Sequence, residues 1–178
     1  QSQHLCLADD SGLEIDALQG RPGVISSHYS TNGAEIGLTR DQRDAANMER
    51  VLRELRGVPL EQRTARFVCV MSLALPRSSA PLLTVRGTFE GRIGLPASEA
   101  RDNPHAHPDV LIPRGTNGFG YDPIFLVSSS HSSYLQTSAE LDPSEKNRLS
   151  HRAAAARLFA ARWPGVRPYR ARSTFPCT

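Results

Sequence analysis

Two strand-like runs joined by one turn constrain this chain more than any other feature. Ala65 to Leu75 reads as a β-rich run, Pro76 to Pro81 as a Pro/Ser turn, and Leu82 to Ile93 as a second strand. Together they predict a long hairpin, the centre of a sheet. Gly87 and Gly91 lie inside the second run, and glycines in a strand mark bulges or close backbone approach, so the hairpin is expected to be bent. Other elements arrange themselves around it. Leu5 to Ala8 reads as a short buried strand that stops at the turn formers Asp9-Asp10-Ser11-Gly12. Thr39 with Gln42 forms a capping box, and Met48, Val51, Leu52 and Leu55 recur at helical spacing until Gly57. The opposite face of that helix, with Arg43, Asp44, Arg50, Arg53 and Glu54, reads as solvated and without special function. Residues 96–114 read as a loop, and Ile124 to Val127 as a strand. Asp142-Pro143-Ser144-Glu145 opens a last helix that must end before Pro164. Strands mixed with helices place the chain in the α/β or α+β class.

The 178 residues, 39% hydrophobic and 22% charged, suit one globular domain or two small lobes sharing a core. The longest apolar run, Phe67 to Leu75, is far shorter than the ~20 residues of a membrane helix. No signal-peptide pattern is visible, and a cytoplasmic location is expected. Cys6, Cys69 and Cys177 are odd in number and unclustered; the first two read as reduced, buried thiols, with no structural disulfide. Of the 21 basic residues only Lys146 is a lysine, and a compact ammonium is not interchangeable with a planar guanidinium. That singles out Lys146 for a specific task.

Three constellations can carry chemistry. In the first, Asp9 and Asp10 are hard oxygen ligands; they converge only if the strand ends there, and Mg²⁺ takes one or two such carboxylates with water and phosphates. A surface turn with Asx hydrogen bonds is the plainer reading. The second is Gly115 to Pro123, where glycines at 115, 118 and 120 let backbone N–H groups approach a ligand, and Phe119 and Tyr121 offer aromatic faces to a nucleobase. A tight loop over a small apolar cluster is the competing reading, and the stretch is neither a Walker loop nor a Rossmann fingerprint. The third is Lys146 with Ser150-His151-Arg152. On one continuous helix, His151 and Arg152 lie about 140° and 240° around the axis from Lys146 and cannot share a small ligand. A break at Ser150, a good N-cap, would let Arg152 swing toward the site of Lys146.

Taken in order, Ala8 to Leu18, Pro22-Gly23-Val24 with Ser26, Gly115 to Phe125, Glu145-Lys146-Asn147 and Ser150-His151-Arg152 resemble the inosine triphosphate pyrophosphatase (Ham1-like) family. The resemblance covers most of residues 5–160. It implies a long mixed β-sheet flanked by helices in two lobes with a central cleft, usually as a homodimer. It also implies Mg²⁺-dependent hydrolysis of ITP, dITP or XTP to the monophosphate and pyrophosphate. By motif position, Asp10 matches the catalytic, metal-linked carboxylate with Asp9 beside it, and Ser11 matches a substrate contact. Phe119, Gly120, Tyr121 and Asp122 match the base-binding segment; Lys146, His151 and Arg152 match the residues that read the base. No membrane contact is expected.

The chain departs from the family pattern in three places. Family members carry a Ser/Thr-x-Asn-x-x-Lys segment before the Asp-Asp-Ser-Gly motif, and residues 1–8 hold none, so the sequence reads as an N-terminally truncated member or as a fragment. The pyrophosphatase-like part is then 1–163, with an inserted loop at 97–113. His105, His107 and Asp109 in that loop read as loop residues rather than metal ligands. A basic tail, 164–178, follows and reads as solvated rather than nucleic-acid-binding. The alternative to an enzyme is a truncated, weakly active or inactive nucleotide-binding protein. A Maf-like pyrophosphatase is opposed by the Phe-Gly-Tyr-Asp and Ser-His-Arg segments.

Overall fold

The structure, a computed structural model, describes residues 4–100, 107–128 and 135–163. The predicted hairpin is its spine. Strands β3 (Thr64–Ala74) and β4 (Pro81–Ile93) pair antiparallel along their whole length. The ladder runs regularly through Gly87 and Gly91, and its one register shift falls at Leu73/Ala74 beside the turn, so no bulge falls at the glycines. Both glycines serve close approach instead. A Cβ on Gly91 would lie 2.6 Å from the Phe125 ring, and one on Gly87 would lie 2.5 Å from the His151 carbonyl oxygen.

Strand β1 (Cys6–Ile15) flanks β3 antiparallel, with β2 (Pro22–Gly23) outside it. On the other side β4 is followed by β7 (Phe125–Ser128) and β8 (Leu135–Thr137), giving the order β2-β1-β3-β4-β7-β8 with every pair antiparallel. Among the described residues, parallel pairing occurs only in a separate small sheet, β5 (Leu95–Pro96) with β6 (Leu111–Ile112). The α/β class is as expected, but the long sheet is antiparallel and the parallel component lies beside it. The stretch read as a loop around 97–113 also carries structure: helix α2 (Ala97–Ala100), a 3₁₀ turn at Pro108–Val110, and β6, with Val110 and Ile112 in the core. His107 and Asp109 face each other at 3.1 Å in that turn, while His105 lies outside the described residues. So does the basic tail from 164 onward, with Cys177.

Helix α1 (Arg40–Glu54) begins with the predicted Thr39–Gln42 capping box. Its Val51, with Leu55 at the C-cap, packs against Leu13, Ile15, Ile93, Ile124 and Phe125, all essentially inaccessible, in the main core. The stretch read as one last helix is two, α3 (Pro143–Leu149) and α4 (His151–Arg162), with the break at Ser150 that the sequence left open. Ser150 ends one and caps the other, its Oγ accepting from the Ala153 N–H at 3.2 Å. Helix α4 then lies on β3 and β4, where Ala155 packs with Cys69 and Val85. Its small residue opposite Gly87 is what lets a helix backbone rest directly on a strand.

Buried Arg63 joins this frame from inside. Its guanidinium donates to the carbonyls of Val58 (2.8 Å), Leu55 (2.9 Å) and Gly94 (3.0 Å) and pairs with Glu99. The end of α1, the end of β4 and α2 are therefore tied at one point.

Candidate active site

The turn expected at Asp9–Gly12 does not form. The strand continues to Ile15 because each of these residues has a partner in β3: Asp9 opposite Met71, Asp10 opposite Val70, Ser11 opposite Cys69, Gly12 opposite Val68. A ten-residue ladder outweighs local turn preference. Period-two alternation then sends Asp9 and Asp10 to opposite faces of the sheet. Asp9, Ser11, Leu13 and Ile15 share the α4 face, whereas Asp10 and Glu14 share the other. Among the described residues no group of three His, Cys, Asp or Glu side chains converges on a metal position. Asp10 is exposed and uses one oxygen to accept its neighbour Ser11 N–H at 2.8 Å. As a single accessible hard carboxylate it fits Mg²⁺, which commonly keeps water and borrows phosphate oxygens. Asp9 does not join it, being paired with Arg152 at 3.1 Å and lying 3.9 Å from the Cys69 thiol. Cys69 is buried as expected, and burial pushes its thiol pKa up; Cys6, expected buried, is exposed at the open end of β1.

The Gly115–Pro123 stretch forms a tight loop held from within by Asp122. One carboxylate oxygen of Asp122 accepts the Phe119 N–H at 2.8 Å and the Lys146 ammonium at 2.5 Å; the other accepts the Ser138 hydroxyl. Gly118 explains how this pair fits. It has φ +89°, and a Cβ there would collide with the Asp122 carboxylate and the Lys146 Nζ. The only lysine of the chain thus has a specific partner, buried to 6% exposure on the Asp122 side chain. Phe119 presents its ring outward, 55% exposed. Tyr121 does not share that role. It is buried, and its hydroxyl donates to the Ser26 carbonyl at 2.7 Å, while burial pushes its pKa well above the usual phenol range. Of the two expected aromatic platforms, Phe119 is accessible and Tyr121 is a core strut.

His151 links the two halves. Its ring stacks on Phe67 with centroids 5.3 Å apart, on the α4 face that carries Asp9 and Ser11. Burial, and then the charge of Arg152, push its pKa down to about 4, with Lys146 adding to the decrease and Asp122 and Asp9 opposing it. The imidazole is therefore neutral at pH 7 and lies within electrostatic reach of both ion pairs. His151 Nδ1 and Ser11 Oγ are buried without a hydrogen-bond partner, a pairing state that native proteins rarely leave unused. The helix break at Ser150 thus places Lys146, paired with Asp122, and Arg152, paired with Asp9, within electrostatic reach of His151, while Asp10 lies on the opposite face of β1.

Asp44, on the helix face read as solvated, and Arg40, at the start of the same helix, face the Gly-rich loop, which the sequence did not reveal. Asp44 accepts the Gly120 N–H at 2.9 Å, and Arg40 places its guanidinium 4.7 Å from the centre of the Phe119 ring. Farther along, Arg50 pairs with Glu54 at 2.8 Å and covers the Tyr29 ring, whose hydroxyl donates to Glu54 at 2.6 Å. The i, i+4 spacing of Arg40 and Asp44 was visible; their partners, near residue 120, were not.

A hairpin-based sheet carrying a glycine loop, a Lys–Asp pair and a buried neutral imidazole beside an arginine defines an α/β protein with preformed polar groups next to a loop that exposes an aromatic ring. The chain belongs to the Ham1 family, whose model matches residues 1–162. It is 45% identical over 158 residues to the dITP/XTP pyrophosphatase of Exiguobacterium sibiricum, covering 89% of this chain and 65% of that protein. The Geobacillus kaustophilus dITP/XTP pyrophosphatase is 43% identical over 160 residues, covering 90% and 64%. Among solved structures, a HAM1 protein from Coxiella burnetii superposes with a TM-score of 0.65 at 39% identity, covering 88% of this chain and 66% of that one. The Mycobacterium abscessus nucleoside-triphosphatase / dITP/XTP pyrophosphatase gives 0.62 at 37%, covering 92% and 66%. The chain therefore spans less than two thirds of the length of these relatives.

Proposed function

We propose that this chain binds non-canonical purine nucleoside triphosphates (ITP, dITP or XTP) and hydrolyses them to the monophosphate and pyrophosphate. The observation that carries the reading is the placement of two cationic donors, Lys146 and Arg152, within electrostatic reach of the buried, neutral His151 imidazole. A 6-oxo purine offers an acceptor where adenine offers an amino donor. Cationic donors satisfy the first and leave the second unpaired in a desolvated site, which is a strong basis for selection. Phe119 supplies the stacking face, and the Asp122–Lys146 pair fixes both the loop and the ammonium.

The phosphate end is assigned to the other face of β1, across the strand edge that β2 covers only at Leu13 and Glu14; there Asp10 is the residue that would hold Mg²⁺, which when bound supplies charge neutralisation on the phosphate oxygens. Asp10 also orients the attacking water and takes its proton. The water oxygen bonds to the α-phosphorus, the bond from that phosphorus to the β-bridging oxygen breaks, and pyrophosphate leaves with the electron pair. Asp9 has a different task in this reading: it holds Arg152 on the base side of the sheet. A homodimer in the cytoplasm is the setting we infer from the resemblance.

Replacing Asp10 with Asn tests the chemistry, because the amide keeps the shape and loses the proton acceptor. Pyrophosphate release from ITP with Mg²⁺ should fall at least about a hundredfold, the usual range for losing a general base, with the melting temperature unchanged. Near-normal release by the variant would refute the assignment of Asp10.

A further inference from the structure

We propose that Asp44, with Arg40 behind it, is a positioning residue that sets the nucleobase platform from outside. The proposal rests on reading Phe119–Asp122 as that platform. Asp122 holds the segment from within through the Phe119 N–H, Lys146 and Ser138. Tyr121 ties it to the Ser26 carbonyl, and α1 holds it at Phe119 and Gly120. The capping box fixes the first turn of α1, and Arg40 and Asp44 stand one turn apart on one face of it, 3.9 Å from each other. The Asp44 carboxylate takes the N–H of Gly120, a residue at φ +60°, at 2.9 Å. That bond fixes the peptide that follows Phe119. The Arg40 guanidinium lies over one face of the Phe119 ring, and the ring's remaining exposure leaves the opposite face for a base.

The geometry makes Phe119 the middle layer of a stack of guanidinium, phenyl ring and purine. Asp44 sets where that layer sits, and neither residue needs to touch the reacting phosphates. Its effect therefore belongs in base binding and not in the chemical step.

The test is Asp44→Ala against Asp44→Asn in the same chain, with ITP and Mg²⁺. Alanine removes the acceptor, and KM for ITP should rise roughly tenfold, about the loss of one charge-assisted hydrogen bond at a partly exposed site, with kcat within twofold. Asparagine retains an acceptor oxygen and should restore KM to near the wild-type value. Arg40→Ala should raise KM by a smaller factor. Amide exchange at Gly120 in the ligand-free protein should quicken in Asp44→Ala and stay slow in Asp44→Asn. An unchanged KM in Asp44→Ala, or a fall in kcat with KM constant, overturns the proposal. If the wild-type chain neither binds nor hydrolyses ITP, the functional reading fails, and Gly120 exchange then decides the clamp independently: unchanged exchange in Asp44→Ala overturns it.

Discussion

Gly87→Ala is a one-methyl change that should travel from the sheet to the base-reading residues. A Cβ at Gly87 would stand 2.5 Å from the His151 carbonyl oxygen and 2.7 Å from the Ala155 Cα. Ordinary carbon contacts begin near 3.5 Å, so α4 must lift by roughly 1 Å or β4 must sink by as much. Sinking is opposed by the continuous β3–β4 ladder, and lifting separates Ala155 from Cys69 and Val85. Overpacking of this kind costs about 1–3 kcal/mol, or roughly 3–9 °C in melting temperature for a chain of this size. The same displacement moves His151 and Arg152, which start α4, relative to Asp9 and Phe67. Thermal unfolding and steady-state kinetics with ITP on the one variant therefore report both effects. The expected outcome is a lower melting temperature together with a raised KM for ITP. A variant that melts within 1 °C of the wild type and keeps its KM would refute the claim that direct backbone contact at Gly87 sets the position of α4.

Two further predictions concern stability. Arg63→Met should cost about 3–5 kcal/mol, since it leaves Glu99 and three carbonyls without their buried cation; a chemical denaturation midpoint equal to that of the wild type would contradict it. His151 has a folded pKa near 4 against the usual 6.5, so the unfolded chain takes up the proton first as pH falls. Its contribution should be complete above pH 6.5, be lost on acidification toward pH 4, and amount to at most about 3 kcal/mol before solvent screening. Urea midpoints of the wild type and His151→Gln at pH 7 and pH 4.5 isolate it, and equal pH dependence in the two proteins would exclude His151 as the source.

The elements that followed from local pattern were legible in the sequence. The hairpin announced itself by two apolar runs around a Pro/Ser turn, α1 by its capping box and helical spacing, and the α3–α4 break by Ser150 as an N-cap. What failed was chemistry that depends on register. Asp9-Asp10-Ser11-Gly12 has the composition of a turn, yet pairing with Met71 to Val68 keeps it extended and parts the two carboxylates. Tyr121 and Phe119 look alike in sequence, and only the Ser26 carbonyl, 95 residues away, makes one a strut and leaves the other open. Asp44 sits in a stripe of charges that reads as solvated, so nothing local distinguished it; its partner, Gly120, lies 76 residues along the chain. Gly87 was legible as a point of close approach, but not the helix that approaches.

The relation between base identity and turnover tests the account most directly. With Mg²⁺ present, kcat/KM of this chain measured by pyrophosphate release should favour ITP over ATP by on the order of a thousandfold or more, because adenine's amino group meets donors among Lys146, His151 and Arg152. Equal kcat/KM for the two nucleotides would contradict the assignment of those residues to reading a 6-oxo purine.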